Sequence, residues 1–294
     1  MTDETVEYHV NEYGFVEVSS KPTVDELAAY YREKYYQQES SNYQNVYSKE
    51  ELQYFQHKDE EKLWVLEHMG GVNKGRLLDI GCGEGFTLAN FESRGWSVKG
   101  LDFSTYGLEA HNQSMVRHLV QGDIFQSVKC LIEDKEKFDV VIMNNFLEHA
   151  LDPAAILVDA SELLAPKGVL VIQVPNDFSL LQEFLVDEGR VSKRFWIAYP
   201  DHPSYFSRDS LKNFCAAFGW KELFCMADFP IDWYLANKHS NYIENAGRGR
   251  AAHGARIDID TLLHKASLQK KIDLYRALAD VGFGRQLVGF YSKP

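Results

Sequence analysis

The stretch Asp79-Ile-Gly-Cys-Gly-Glu-Gly85 places an acid and three glycines where a short apolar run stops and a helical pattern begins. Glycines in such a turn let the backbone approach a ligand closely. Two further acids, Asp102 and Asp123, close later apolar runs. Asp102 lies 23 residues beyond Asp79, a place from which a carboxylate can accept both hydroxyls of a ribose. The register is G-x-G-x-G followed by Phe86, not the G-x-G-x-x-G that seats a pyrophosphate on a helix N-terminus. The charge of Asp79 would be unfavourable beside a pyrophosphate. Beside a ligand carrying an ammonium and a sulfonium it is favourable. The pattern therefore points to S-adenosylmethionine ahead of a nicotinamide dinucleotide.

These residues need a scaffold, and the sequence around them supplies one. Apolar runs at 76–80, 97–102, 118–121, 138–143 and 168–174 alternate with helical patterns at 84–93, 104–115 and 152–164. Strands separated by such helices imply βαβ units and a parallel sheet. The runs are near-continuous, as in strands buried on both faces. The expectation is an α/β, doubly wound domain with its ligands at the carboxyl ends of the strands. Three regions follow: 1–75, acidic and holding nine of the sixteen tyrosines; 76–175, the binding core; and 176–294, aromatic with a basic island. In the flanks, Thr23 and Glu26 form a capping box for a helix to about Tyr36. Further helices are expected at 49–69, 207–218 and 267–279, and strands at 223–227 and 286–291.

Composition narrows the function. A net charge of −12 on 294 residues argues against a nucleic-acid partner or docking on an anionic membrane. The apolar runs are too short to span a bilayer, and the first residues carry no secretory pattern. Cys82, Cys130, Cys215 and Cys225 have no paired or zinc-like spacing, which suits reduced thiols in a cytoplasmic protein.

Six segments in order resemble the motifs of class I S-adenosylmethionine-dependent methyltransferases: Asp79 to Gly85, Gly100-Leu-Asp102, Gly122-Asp123, Phe138-Asp-Val-Val-Ile142, Phe146-Leu-Glu-His149 and Leu164-Ala-Pro-Lys-Gly168. The resemblance covers about residues 76–175 and implies a mostly parallel seven-stranded Rossmann-like sheet. It implies that Gly81 and Gly83 pass the amino-acid part of the cofactor and that Asp79 holds its ammonium. Asp102 would bind the ribose, Phe103 would lie along the adenine, and Asp123 and the Ile124 backbone would bond its edge. Asn144 would face the methionine part. Asn144-Asn145 and Lys167 depart from many relatives. The Glu-His pair is similar to the branch with ubiquinone-biosynthesis and sugar methyltransferases, and the flanks resemble polysaccharide- or secondary-metabolite-cluster members. The absence of an Asn-Pro-Pro-Tyr segment after the fourth strand disfavours a base-flipping enzyme.

Methyl transfer to a hydroxyl calls for a general base, most often histidine near neutral pH. His149 and His202 are the candidates, with His253 behind them. The expected acceptor is a small molecule, a sugar or related metabolite, with N- or C-methylation as the alternative. No metal is expected; Asp177 and Asp201 are the scattered carboxylates a magnesium-dependent variant would draw on. Tyr30, Tyr31, Tyr35, Tyr36, Tyr43, Tyr47 and Tyr54 suggest a lid region at 1–75, most of them packing and one or two contacting ligand. The island from Asn245 to Arg256 reads as a glycine-flexible loop whose arginines suit an anionic or nucleotide-linked acceptor. A catalytically silent cofactor-binding module and an oxidoreductase remain as rivals. The oligomeric state is open, a homodimer among the options.

Overall fold

The computed structural model describes residues 6–23, 25–27, 30 and 46–293. Its centre is a seven-stranded sheet built from β3 (Arg76–Ile80), β4 (Ser97–Asp102), β5 (Leu119–Gln121), β6 (Phe138–Asn144), β7 (Leu164–Pro175), β9 (Lys221–Ala227) and β10 (Gln286–Ser292). The spatial order is β5-β4-β3-β6-β7-β10-β9. The β3–β4, β4–β5, β3–β6 and β6–β7 pairs are parallel. β10 runs antiparallel to both β7 and β9. The expected doubly wound, mostly parallel sheet is therefore present. Its topological switch lies at β3, whose neighbours lead off in opposite directions, and ligands gather at such a point.

Apolar side chains alternate between the two faces and explain why the runs looked continuous. Leu78 and Ile80 pack on one side with Val141 and Ile172. Leu77 packs on the other with Val140 and Val171. The covering helices are α1 (Lys49–His68), α2 (Phe86–Ser93), α3 (Tyr106–His111), α4 (Ile124–Glu133) and α5 (Pro153–Leu163), then α6 (Leu180–Asp187), α7 (Arg208–Ala217), α8 (Gly249–Ala266) and α9 (Leu268–Asp280). Several begin at a side-chain cap. Ser48 and Glu51 close a reciprocal cap on α1, Asp152 caps α5 ahead of Pro153, and Ser267 caps α9. A second, antiparallel sheet joins β1 (Tyr8–Val10), β2 (Val16–Val18) and β8 (Ser204–Tyr205). It ties the start of the chain to the segment after the core.

Three expectations need correction or bounds. The island at 245–256 is not a flexible loop: from Gly249 it is the first part of α8. A Cβ at Gly249 or Gly254 would meet nothing within 4 Å. These glycines are tolerated in a helix that also holds four alanines. The α6 helix was not anticipated. The Thr23 cap is formed, with the Thr23 N–H donating to Glu26 at 2.7 Å and the Glu26 N–H to Thr23 Oγ1 at 3.2 Å. Residues 25–27 and 30 of that expected helix are helical; Tyr31, Tyr35 and Tyr36, which would complete it, and Tyr43 beyond it lie outside the described residues.

The α1 helix carries an unusual load of buried charge, and its partners come from far along the chain. Lys58 meets Glu61 at 3.1 Å and Asp260 at 2.7 Å. Fully buried Lys271 meets Glu61 and Asp260, each at 2.6 Å. Tyr275 also donates to Asp260, at 2.6 Å. Buried charges persist when paired and hydrogen-bonded in this way, and here they lock α1 against α8 and α9. No helix of the described residues is long and apolar enough to cross a membrane, and all four cysteines are free.

Candidate active site

A cavity of about 890 Å³ opens at the carboxyl ends of β3, β4 and β6. Its floor is the turn after β3. Gly81, Gly83 and Gly85 all hold positive φ, at 77°, 52° and 74°. A Cβ on Gly81 would sit 2.9 Å from the Phe146 ring. The turn is fixed from β4: the Gly83 N–H donates to Asp102 Oδ2 at 2.8 Å, and the Gly81 N–H to the Leu101 carbonyl at 2.8 Å. Gly81→Ala should therefore lose about 1–2 kcal/mol of stability from the left-handed backbone alone, read as a lower urea midpoint. An unchanged midpoint would mean that the turn is not strained by a side chain.

The cofactor end of the cavity gathers every residue expected there. Asp79, Gly81, Gly83, Asp102, Phe103, Asp123, Ile124 and Asn144 all line it. Asp79 is buried at the end of β3. Burial, with the Asp59 and Asp102 charges, pushes its carboxyl up to about 7, while Lys62 opposes the shift. Asp102 spends one oxygen on Gly83 and the other on the Ser104 N–H at 3.0 Å; burial raises its carboxyl pKa despite these bonds. Phe103 is 58% exposed, leaving an aromatic face for a flat ligand. Asp123 caps α4 by accepting from the Gln126 N–H at 2.8 Å, so one of its oxygens already has a structural duty.

Whether S-adenosylmethionine suits this end can be judged from its polar atoms. Asp79 Oδ1 and Asn144 Oδ1 are buried and have no hydrogen-bond partner among the described residues. Two acceptors left without donors beside a glycine turn suit an ammonium group. The Asn144 amide is oriented by its donation to Thr87 Oγ1 at 3.2 Å. Thr87 in turn donates to Asp59 Oδ1 at 3.2 Å. Asp59, from α1, also accepts from Asn90 at 2.6 Å. This Asp59–Thr87–Asn144 relay was not visible in the sequence, because α1 gives no glycine or motif signal.

The two histidines occupy different places. His149 lines the cavity, whereas His202 is not among the residues lining it. His202 packs edge-on against His149, ring centroids 4.6 Å apart. His149 Nδ1 lies 2.8 Å from the Asp201 carbonyl and 3.2 Å from its carboxylate. A carbonyl only accepts, so Nδ1 carries the proton and Nε2 is the proton-accepting nitrogen. Burial opposes charge on this ring, but the Asp201 bond and the Glu148 and Asp201 charges outweigh it and raise the His149 pKa. Burial pushes the neighbouring Glu148 up to about 7. His253 pairs with Glu51 at 3.3 Å and accepts from Arg256 at 2.9 Å.

The far wall comes from outside the core. Tyr54 and Lys58 of α1, Arg256 of α8, and Asp228 and Gln286 beside the antiparallel strands all face the cavity. Two of the tyrosines expected in the lid region are placed here. Tyr54 lines the cavity, while Tyr47 donates to Glu84 at 2.9 Å and packs on Phe55 and Phe86. The chain can also space metal ligands. The ligand atoms of Glu148, His149 and His202 lie within 4.8 Å of one another, as do those of His57, Glu60 and His264. Neither group contains Asp177 or Asp201, the carboxylates suggested by sequence. Asp177 is held by Arg285 at 2.6 Å.

Comparison with known proteins agrees with this architecture. A methyltransferase domain family matches residues 55–223, more than half of the chain. The ubiquinone biosynthesis O-methyltransferase of Aeromonas salmonicida is 32% identical over 118 residues, covering 38% of this chain and 48% of that protein. The protein of the same name from Psychrobacter cryohalolentis is 35% identical over 112 residues, covering 37% and 43%. The chain thus spans about half the length of the curated relatives it matches. A SAM-dependent methyltransferase of Archaeoglobus fulgidus superposes with a TM-score of 0.50 at 17% identity, over 91% of this chain and 99% of that one, which shows a shared fold. The chain belongs to the methyltransferase domain family, with the fold and cofactor of the class I S-adenosylmethionine-dependent methyltransferases.

Proposed function

We propose that the chain methylates a hydroxyl of a small-molecule acceptor, a sugar or related metabolite, with His149 as general base. The observation that carries this reading is the orientation of His149 by Asp201 inside the cavity that holds the cofactor loop. A base held by a third group is the arrangement that activates a hydroxyl nucleophile. His202 acts in this reading as the ring that packs His149 in place, not as a second base.

When bound, S-adenosylmethionine supplies a methyl group already activated on a sulfonium. The protein is left to align, exclude water and take one proton. Asp79 Oδ1 and Asn144 Oδ1 accept from the ammonium. The Asp102 carboxylate accepts from the ribose hydroxyls. Phe103 covers the adenine, whose edge meets Asp123 and the Ile124 N–H. His149 Nε2 takes the proton that the acceptor hydroxyl loses.

The acceptor end supports a sugar through its planar polar groups. Gln173 donates to Gln286 at 2.6 Å, which orients two side-chain amides along the cavity wall beside Asp228 and Asn145. Fixed amides and carboxylates suit a ring of hydroxyls. In this scheme residues 1–75 supply the lid, 76–175 the cofactor site, and 176–294 the acceptor wall. Four free cysteines fit a reducing, cytoplasmic setting.

The test is release of S-adenosylhomocysteine from purified protein and S-adenosylmethionine across a panel of free and phosphorylated sugars, phenols and amines. Turnover should depend on a hydroxylated acceptor and fall by about a hundredfold or more with His149→Ala. Turnover on amines alone would shift the reading to N-methylation. Cofactor binding with no transfer to any acceptor class would favour the silent module.

A further inference from the structure

Of the basic island, one arginine reaches the cavity. Arg248 is turned away, donating to the Lys238 carbonyl and, at 3.5 Å, to that of Asn241. Arg256 lines the cavity. Its guanidinium lies over the Tyr54 ring, 5.2 Å from the centroid. One terminal nitrogen donates to His253 Nδ1 at 2.9 Å, and His253 Nε2 meets Glu51 at 3.3 Å. This chain from Glu51 through His253 fixes the fork. Its Nε is buried with no hydrogen-bond partner among the described residues.

The other cations along the cavity are already committed. Lys58 is held by Glu61 and Asp260, and Lys62 by Asp59 at 3.4 Å. Among the described residues no carboxylate lies within 4.0 Å of the Arg256 guanidinium. Asp228, whose charge acts on Arg256, has one oxygen accepting from the Arg285 and Gln286 N–H groups at 2.8 Å each. Arginine presents a planar fork that matches an oxyanion. Here it stands stacked and oriented, with Asp228 acting on it as an opposing charge but not as a direct ion pair.

We propose that Arg256 is the anion-binding residue of the acceptor site, and that the acceptor carries one carboxylate or phosphate beside its methylated hydroxyl. One guanidinium without a direct carboxylate pair matches a single oxyanion; a diphosphate would need further cations, and Lys58 and Lys62 are already paired. The inference rests on the reading of this cavity as the acceptor site, and narrows a sugar to an acidic one, a uronate or a sugar monophosphate.

The experiment titrates protein saturated with S-adenosylhomocysteine with inorganic phosphate and, separately, with acetate, at constant ionic strength in a calorimeter. At least one anion should bind saturably in the millimolar range. Arg256→Gln should weaken it by about tenfold or more, while Arg248→Gln leaves it unchanged and both variants keep wild-type affinity for S-adenosylhomocysteine. Binding of phosphate alone would select a phosphorylated acceptor, and of acetate alone a carboxylated one. Should Arg256→Gln fail to fold, the Arg256 Nε–H resonance of the wild type gives the same answer, since it must shift with the bound fraction. A cofactor complex that binds neither anion, or binds both equally in Arg256→Gln, overturns the subsite alone. Failure to bind S-adenosylhomocysteine overturns the methyltransferase reading and takes the subsite with it.

Discussion

Asp102→Ala should weaken S-adenosylhomocysteine binding by about ten- to a hundredfold, the worth of charge-assisted hydrogen bonds at roughly 1.5–3 kcal/mol. The carboxylate sits at the end of β4, one oxygen accepting from Gly83 and the other from Ser104. An ionised carboxylate can accept about four hydrogen bonds, so both oxygens keep capacity for ribose hydroxyls. The same side chain shapes the glycine turn and, on this expectation, would bind the ligand. Asp102→Asn retains one acceptor oxygen and should fall between wild type and alanine. Calorimetric titration of the three proteins decides the matter. Equal affinities would remove Asp102 from the ribose site, and with it the parallel roles given to Asp79 and Asp123.

How much of this site the sequence discloses depends on how local each contact is. The glycine turn, Asp79 and Asp102 are legible because one strand-turn-helix unit holds them, and the residues that need positive φ are glycines. The five core strands are legible for a related reason: burial on both faces leaves a continuous apolar run. Asn144 is placed by its position at the end of β6. Asp123 is legible as an acid but not as a helix cap, since the two duties use the same residue type in the same place.

The far wall of the cavity is not local, and there the sequence says little. Lys58 meets Asp260, Glu61 meets Lys271, and Glu51 meets His253; each pair joins segments about two hundred residues apart. No periodicity reveals such a partner. The α1 helix looks like a solvated, charged helix, yet it buries His57, Asp59, Glu61 and Lys62. The glycines of the basic island suggest a loop, whereas from Gly249 it is helical. Tertiary packing of α8 on α1 overrides that local preference; Arg256 on α8 lines the cavity, while Arg248, in the turn before α8, donates to backbone carbonyls. The metal-like grouping of Glu148, His149 and His202 also arises from folding, as the loop bearing His202 is brought against the 3₁₀ turn at Leu147–His149.

His149 carries the largest expected effect on turnover. His149→Ala should lower kcat by about 10²- to 10⁴-fold, the usual contribution of a positioned base, and leave S-adenosylhomocysteine affinity unaltered. The pH profile gives a readout that a merely structural role would not. Only the neutral ring accepts a proton, and the pKa of His149 is raised above its usual 6.5. Activity should therefore rise with pH through that raised value and plateau above it. Glu148, pushed up to about 7 by burial, lies 4.0 Å from His149 Nε2, so the observed limb belongs to the pair. Asp201→Asn removes a carboxylate that favours the protonated ring but keeps the carbonyl that holds Nδ1. Its limb should move to lower pH while the tautomer survives. A limb that stays in place in Asp201→Asn, or His149→Ala with wild-type kcat, would assign the proton to another acceptor. Glu148 is then the group left beside the cavity with a pKa suited to take it.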